Sequence, residues 1–119
     1  MSEEKMYTGS CHCGNVSYKT SMDLQRAITC NCSMCSRTGA VMAFVPKDSF
    51  ELLSGQDSLS DYQFNTKKIH HLFCSNCGVR SFARGTDRKG AEMFMVNVRC
   101  LEGVDMKAVS ITEHDGKSA

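Results

Sequence analysis

The chain has 119 residues, a hydrophobic fraction of 41% and a formal net charge of +1, which allows one domain with a modest core. No run of either sign of charge marks it for nucleic acid or for a membrane surface. No apolar stretch has the length of a signal h-region or a membrane span, so the expected location is the cytoplasm.

The first ten residues, MSEEKMYTGS, are polar and acidic and carry no predicted element. In NVSYKT (15–20), Val16 and Tyr18 alternate with polar neighbours, the period of a half-buried strand. RAITC (26–30), VMAFVP (41–46), FELLSG (50–55) and LSDYQFN (59–65) read likewise, as do IHHLFC (69–74), VRSFARG (79–85) and MFMVNV (93–98). KAVSITE (107–113) closes the series. Helical periodicity is confined to SMCSRTG (33–39), a turn or two ending at Gly39 with Arg37 near its C-terminus. The nearest approach to a basic patch, Arg84, Arg88 and Lys89 in ARGTDRKG, is read as a solvated turn. No repeat or linker divides the chain. The expectation is a mainly β single domain over 1–119, with its core at about 8–116 and its cysteines at strand ends and turns.

There are eight cysteines. Without a signal segment, and with C-x-C spacings that would strain adjacent disulfides, metal is the better reading of the clusters. Bound metal would also stabilise a core of this small size. On extended chain Cys11 and Cys13 share a face, and the C-x-x-C turn of Cys74 and Cys77, followed by Gly78, aims two sulfurs at one point. Together these four make a closed structural zinc site.

Cys30, Cys32 and Cys35 can converge on a second zinc from one segment. Two outcomes stay open. The triad leaves one coordination position free, as catalytic zinc sites do, or it recruits Cys100 or a histidine and becomes a second closed site. In the open case, the short helix starting near Ser33 would add positive partial charge beside the thiolates. Three thiolates make zinc a poor generator of hydroxide but leave it suited to holding a fourth, incoming thiol.

Three segments in order, GSCHCGNVSY, CNCSMCSRTG and FCSNCGVRSF, resemble the family of glutathione-dependent formaldehyde-activating enzymes, whose domain is shared with centromere protein V. FELLSG, LSDYQF, VNVRCLEGVD and HDG extend the resemblance from about Thr8 to Gly116. It implies a zinc fold of several short antiparallel sheets of the β-tent kind. It also implies a structural zinc on Cys11, Cys13, Cys74 and Cys77 and a catalytic zinc on Cys30, Cys32 and Cys35, two per chain. The implied activity is that of a carbon–sulfur lyase forming S-(hydroxymethyl)glutathione. Its partners would be a small thiol such as glutathione and formaldehyde or another small carbonyl, with neither nucleic acid nor membrane. The alternative is a non-catalytic zinc-stabilised module that binds another protein.

Other residues receive plainer readings. His12 points away from the metal of its flanking cysteines. His70 and His71 alternate faces on a strand, as structural histidines or, for one of them, as a partner of a zinc-bound thiolate or an acid/base. Ser36, Arg37 and Thr38 either cap their short helix or meet an anionic ligand. Cys100 is read as a buried, inert thiol.

Overall fold

A computed structural model describes residues 5–24, 27–63, 69–87 and 89–115. In chain order the elements are β1 (Lys5–Ser10), β2 (Ser17–Met22), β3 (Ala27–Cys30), α1 (Ser33–Thr38), β4 (Met42–Pro46) and β5 (Phe50–Ser54). There follow β6 (Leu59–Tyr62), β7 (Ile69–Cys74), β8 (Phe82–Thr86), β9 (Glu92–Asn97) and β10 (Ile111–His114). Each strand expected from alternation is present, and α1 ends at Gly39 as its sequence indicates. The strands in VRSFARG and KAVSITE start later than their patterns suggest, the second because Met106–Ala108 form a 3₁₀ turn first. Arg26, Phe64, Asn65, Arg88 and Gly116 lie outside the described residues.

Strand β1 was not expected from the sequence. It is an outer strand of the smaller sheet, order β1-β2-β5, and most of its side chains are exposed, so no apolar alternation marks it. The larger sheet has the order β10-β3-β4-β9-β8-β7-β6. Its strands pair antiparallel except β10 with β3, which run parallel in the register Ile111↔Ala27 to His114↔Cys30. The protein is therefore mainly β, with one short α-helix and one parallel pairing among antiparallel ones in the described residues. Among the described residues no helix is long and apolar enough to cross a membrane.

Aromatic side chains join the two sheets. Tyr18 and Phe50 come from the smaller sheet, Phe82 and Phe94 from the larger one. Ring centroids lie 5.0 Å apart for Tyr18–Phe50 and 4.2 Å apart for the nearly parallel Phe50–Phe94 pair. Such contacts add to what burial of the rings already contributes. Tyr18 is fully buried and faces Gly9, where a Cβ would come within 2.6 Å of its ring. Only a residue without a side chain lets β1 lie over that ring.

The Tyr18 hydroxyl donates to the carbonyl of Ser81 at 2.8 Å, tying the smaller sheet to the segment that enters β8. Tyr18→Phe keeps the ring and removes one of two hydrogen bonds to the Ser81 carbonyl, which still accepts the Asn97 N–H at 3.0 Å, a loss of about 0.5–1.5 kcal/mol. Urea denaturation of both proteins at equal metal content should show a lower midpoint for the variant with an unchanged slope.

Candidate functional site

Two turns of the same design face each other across the chain. In the first, the Cys11 N–H donates to the Val16 carbonyl at 3.0 Å, and the Val16 N–H donates back to the Cys11 sulfur at 3.3 Å. In the second, the Cys74 N–H donates to Val79 at 3.1 Å and the Gly78 N–H to Cys74 at 2.8 Å. Gly78 makes the second turn at φ 80°, where a side chain would be strained. The sulfurs of Cys11, Cys13, Cys74 and Cys77 lie within 4.8 Å of one another, with Cys11–Cys13 and Cys13–Cys74 both at 3.6 Å. That is far beyond a disulfide bond. It is close to the edge of about 3.8 Å expected for four sulfurs around zinc at about 2.3 Å.

The turns also supply donors for anionic sulfur. N–H groups of Val79 and Cys13 bring the Cys77 thiol down to about 6, and the Asn76 side chain with the Asn15 N–H lowers Cys13. At Cys74 the N–H of Cys77 lowers the value, but burial and the thiols of Cys13 and Cys11 outweigh it and the net shift is upward. His12 is exposed and takes no part in the sulfur group.

Cys30, Cys32 and Cys35 form the second group, again with all sulfurs within 4.8 Å. Cys30 ends β3, and Cys32 is the N-cap of α1, its sulfur accepting the Cys35 N–H at 3.3 Å. The Cys32 N–H turns back to the Cys30 sulfur at 3.5 Å. Burial raises the Cys32 thiol, but the N–H groups of Cys35 and Met34 and the flanking thiols lower it further. Burial, then the neighbouring Cys32 and Cys30, push Cys35 up to about 12. The parallel strand β10 braces this segment, since Asn31 donates its N–H to the His114 carbonyl at 3.2 Å and its side-chain amide to Asp115 at 2.9 Å.

No fourth ligand joins the triad among the described residues. Cys100 stands in a 3₁₀ turn (Val98–Cys100), where burial and then the fields of Cys11 and Cys77 push its thiol up to about 11. It lies beside the four-cysteine group. Ser36, Arg37 and Thr38 are exposed and hydrogen-bond to carbonyls of their own helix, the Arg37 guanidinium reaching Ser33 at 2.8 Å. They cap α1.

The residues that sequence reasoning missed near the triad are Arg80 and its use of His71. Arg80 follows Val79, which closes the second turn, and its carbonyl accepts from Asn97 at 3.0 Å. Asn97 pairs with Met42, just beyond α1. Its guanidinium is half-buried. Burial opposes its charge, and Cys35 and Cys32 sustain it. One Arg80 nitrogen, Nη2, lies 2.7 Å from His71 Nδ1. Arginine can only donate, so Nδ1 accepts and His71 is neutral with its proton on Nε2. Burial, then Arg80, lowers its pKa in the same sense. His70 faces the other way, onto Asp61 at 2.6 Å.

A groove of about 790 Å³ lies elsewhere, between the sheets beside Phe50 and Phe94 with Asp61 and Leu72 on its wall, and none of the cysteines lines it. Arg84 is part of that wall and sits on β8, 3.9 Å from Glu92, while Lys89 belongs to a turn closed by the Asp87 carboxylate.

A mainly β protein with one four-sulfur and one three-sulfur group, each spaced so that it could hold a metal ion, belongs to the class of cysteine-rich β folds. Residues 6–114 match the family model "Glutathione-dependent formaldehyde-activating enzyme". The chain is also similar to the crystal structure of a Rhodobacter sphaeroides protein, with 34% identity and a TM-score of 0.76 over 88% of this chain and 99% of that one. The chain is a member of the glutathione-dependent formaldehyde-activating enzyme family. Both cysteine groups could hold metal, and their all-sulfur composition is consistent with zinc.

Protons compete with metal for sulfur, and the four-cysteine group gives up an ion only when two distant segments part, whereas the triad comes from one short segment. Acidifying the zinc-loaded protein should therefore release metal in two steps, the triad's at the higher pH. A zinc-sensitive dye read alongside circular dichroism checks the order: the first step should leave the β signal in place and the second should not.

Proposed function

We propose that the protein is a carbon–sulfur lyase that joins a thiol, in the first instance glutathione, to formaldehyde and catalyses the reverse cleavage. The observation that carries this reading is a three-sulfur group with no fourth ligand among the described residues, in a chain of this family. We assign Cys11, Cys13, Cys74 and Cys77 to a structural zinc and Cys30, Cys32 and Cys35 to a second, open zinc. We take the chain as one functional unit working in the cytoplasm, where thiols stay reduced.

The reaction forms a bond between the thiol sulfur and the carbonyl carbon, and the proton lost from sulfur ends on the former carbonyl oxygen. Bound to the triad, zinc would supply the Lewis acidity that favours the ionised form of an incoming thiol. The chain's own part is to fix the three sulfurs. The Cys35 N–H holds Cys32, the Cys32 N–H holds Cys30, and β10 holds the peptide between them. The four-cysteine group ties residues near position 11 to residues near position 75 and thereby supports Arg80, three residues beyond Cys77.

Two variants separate the roles. Cys35→Ser should cost one metal ion and abolish activity while the melting temperature falls only slightly. Cys77→Ser breaks the closed group and should lower the melting temperature severely. Exchange between glutathione and formaldehyde, followed by NMR, should be accelerated by the wild type and not by Cys35→Ser. Absence of acceleration by the wild type, with equal and severe destabilisation of both variants, would favour a doubly stapled protein-binding module.

A further inference from the structure

The Arg80 guanidinium has two buried nitrogens, Nε and Nη1, with no hydrogen-bond partner. Leaving charged donors unpaired in a protein interior is costly unless a negative charge stands nearby. Among the described residues no carboxylate forms an ion pair with Arg80. Its hydrogen-bonded partner is the neutral His71 ring, which orients the guanidinium without cancelling its charge. The groups whose charge reaches it are Cys35 and Cys32. Three thiolates around a dication carry one net negative charge, and a fourth thiolate makes it two. A buried positive charge beside them stabilises the second state more than the first.

We propose that Arg80, oriented by His71, is the countercharge of the triad and makes its open position select an anionic sulfur ligand over a neutral one. Arg80 is thus a positioning residue that sets ligand class, and the inference rests on the open triad proposed above.

The test uses the full chain with cobalt in place of zinc, because thiolate-to-cobalt absorption reports the ligands at the triad without any turnover. Each protein is titrated at fixed pH and salt with 2-mercaptoethanol, which binds as an anion, and with imidazole, which binds neutral. Arg80→Gln should weaken 2-mercaptoethanol by about tenfold, the scale of one unit charge acting within a partly buried site, and leave imidazole unchanged or tighter. Arg80→Lys, which keeps the charge and serves if the glutamine variant does not fold, should retain most of the preference for the thiol. Equal weakening of both ligands, or none, in Arg80→Gln would overturn the role given to Arg80 while leaving the open position intact. So would a lysine variant that loses the preference altogether. Indifference of the wild-type spectrum to both ligands would overturn this inference and the open-site reading together.

Discussion

The convergence of Cys11 and Cys13 with Cys74 and Cys77 is the constraint on which the other features depend. Two turns of matching hydrogen-bond pattern, one leading into β2 and one leaving β7, meet sulfur to sulfur at 3.6 Å. The smaller and larger sheets are thereby joined at one end, while the aromatic stack of Tyr18, Phe50, Phe82 and Phe94 joins them through the interior. Val79, which closes the second turn, is followed by Arg80 and then Ser81, whose carbonyl receives the Tyr18 hydroxyl. Core packing, sulfur geometry and the charge beside the triad are therefore set by one short stretch.

The second sulfur group is built on different terms. Its three cysteines come from six consecutive residues, and no distant cysteine joins them. A local cluster of this kind adds little to the closure of the chain, because the loop it fixes is short. The difference between the two groups follows from the spacing of their cysteines along the chain.

The grouping of seven cysteines into these two sets was legible in the sequence, because cysteine spacing is a local property and sulfur is a specific ligand. The alternation of Val16 and Tyr18 with polar neighbours announced β2, and MFMVNV announced β9, since both bury side chains on one face. Strand β1 was silent for the opposite reason: Lys5 and Met6 are exposed, and pairing with β2 defines it. The parallel join of β10 to β3 could not be read, since register between distant segments leaves no local trace. Cys100 could not be placed either, and it stands by the four-cysteine group. Arg80 and its pairing with His71 were hidden because a single arginine in a strand pattern ordinarily points to water. Its burial beside two thiols, and its pairing with a neutral ring, depend on the meeting of β7, β8 and the α1 region.

The parallel pairing of β10 with β3 has a consequence for the order of assembly. Every other join in the two sheets can form from segments at or before β9, and the four-cysteine group needs nothing after Cys77. The brace on the triad needs partners 84 residues apart, Asn31 and Asp115. Contacts so distant in sequence carry a high loop-closure cost and form late. As the chain leaves the ribosome, the four-sulfur group can therefore close first, around a nearly finished body. The triad waits with its strand edge uncovered until β10 arrives, so the two cysteine groups close in a fixed sequence.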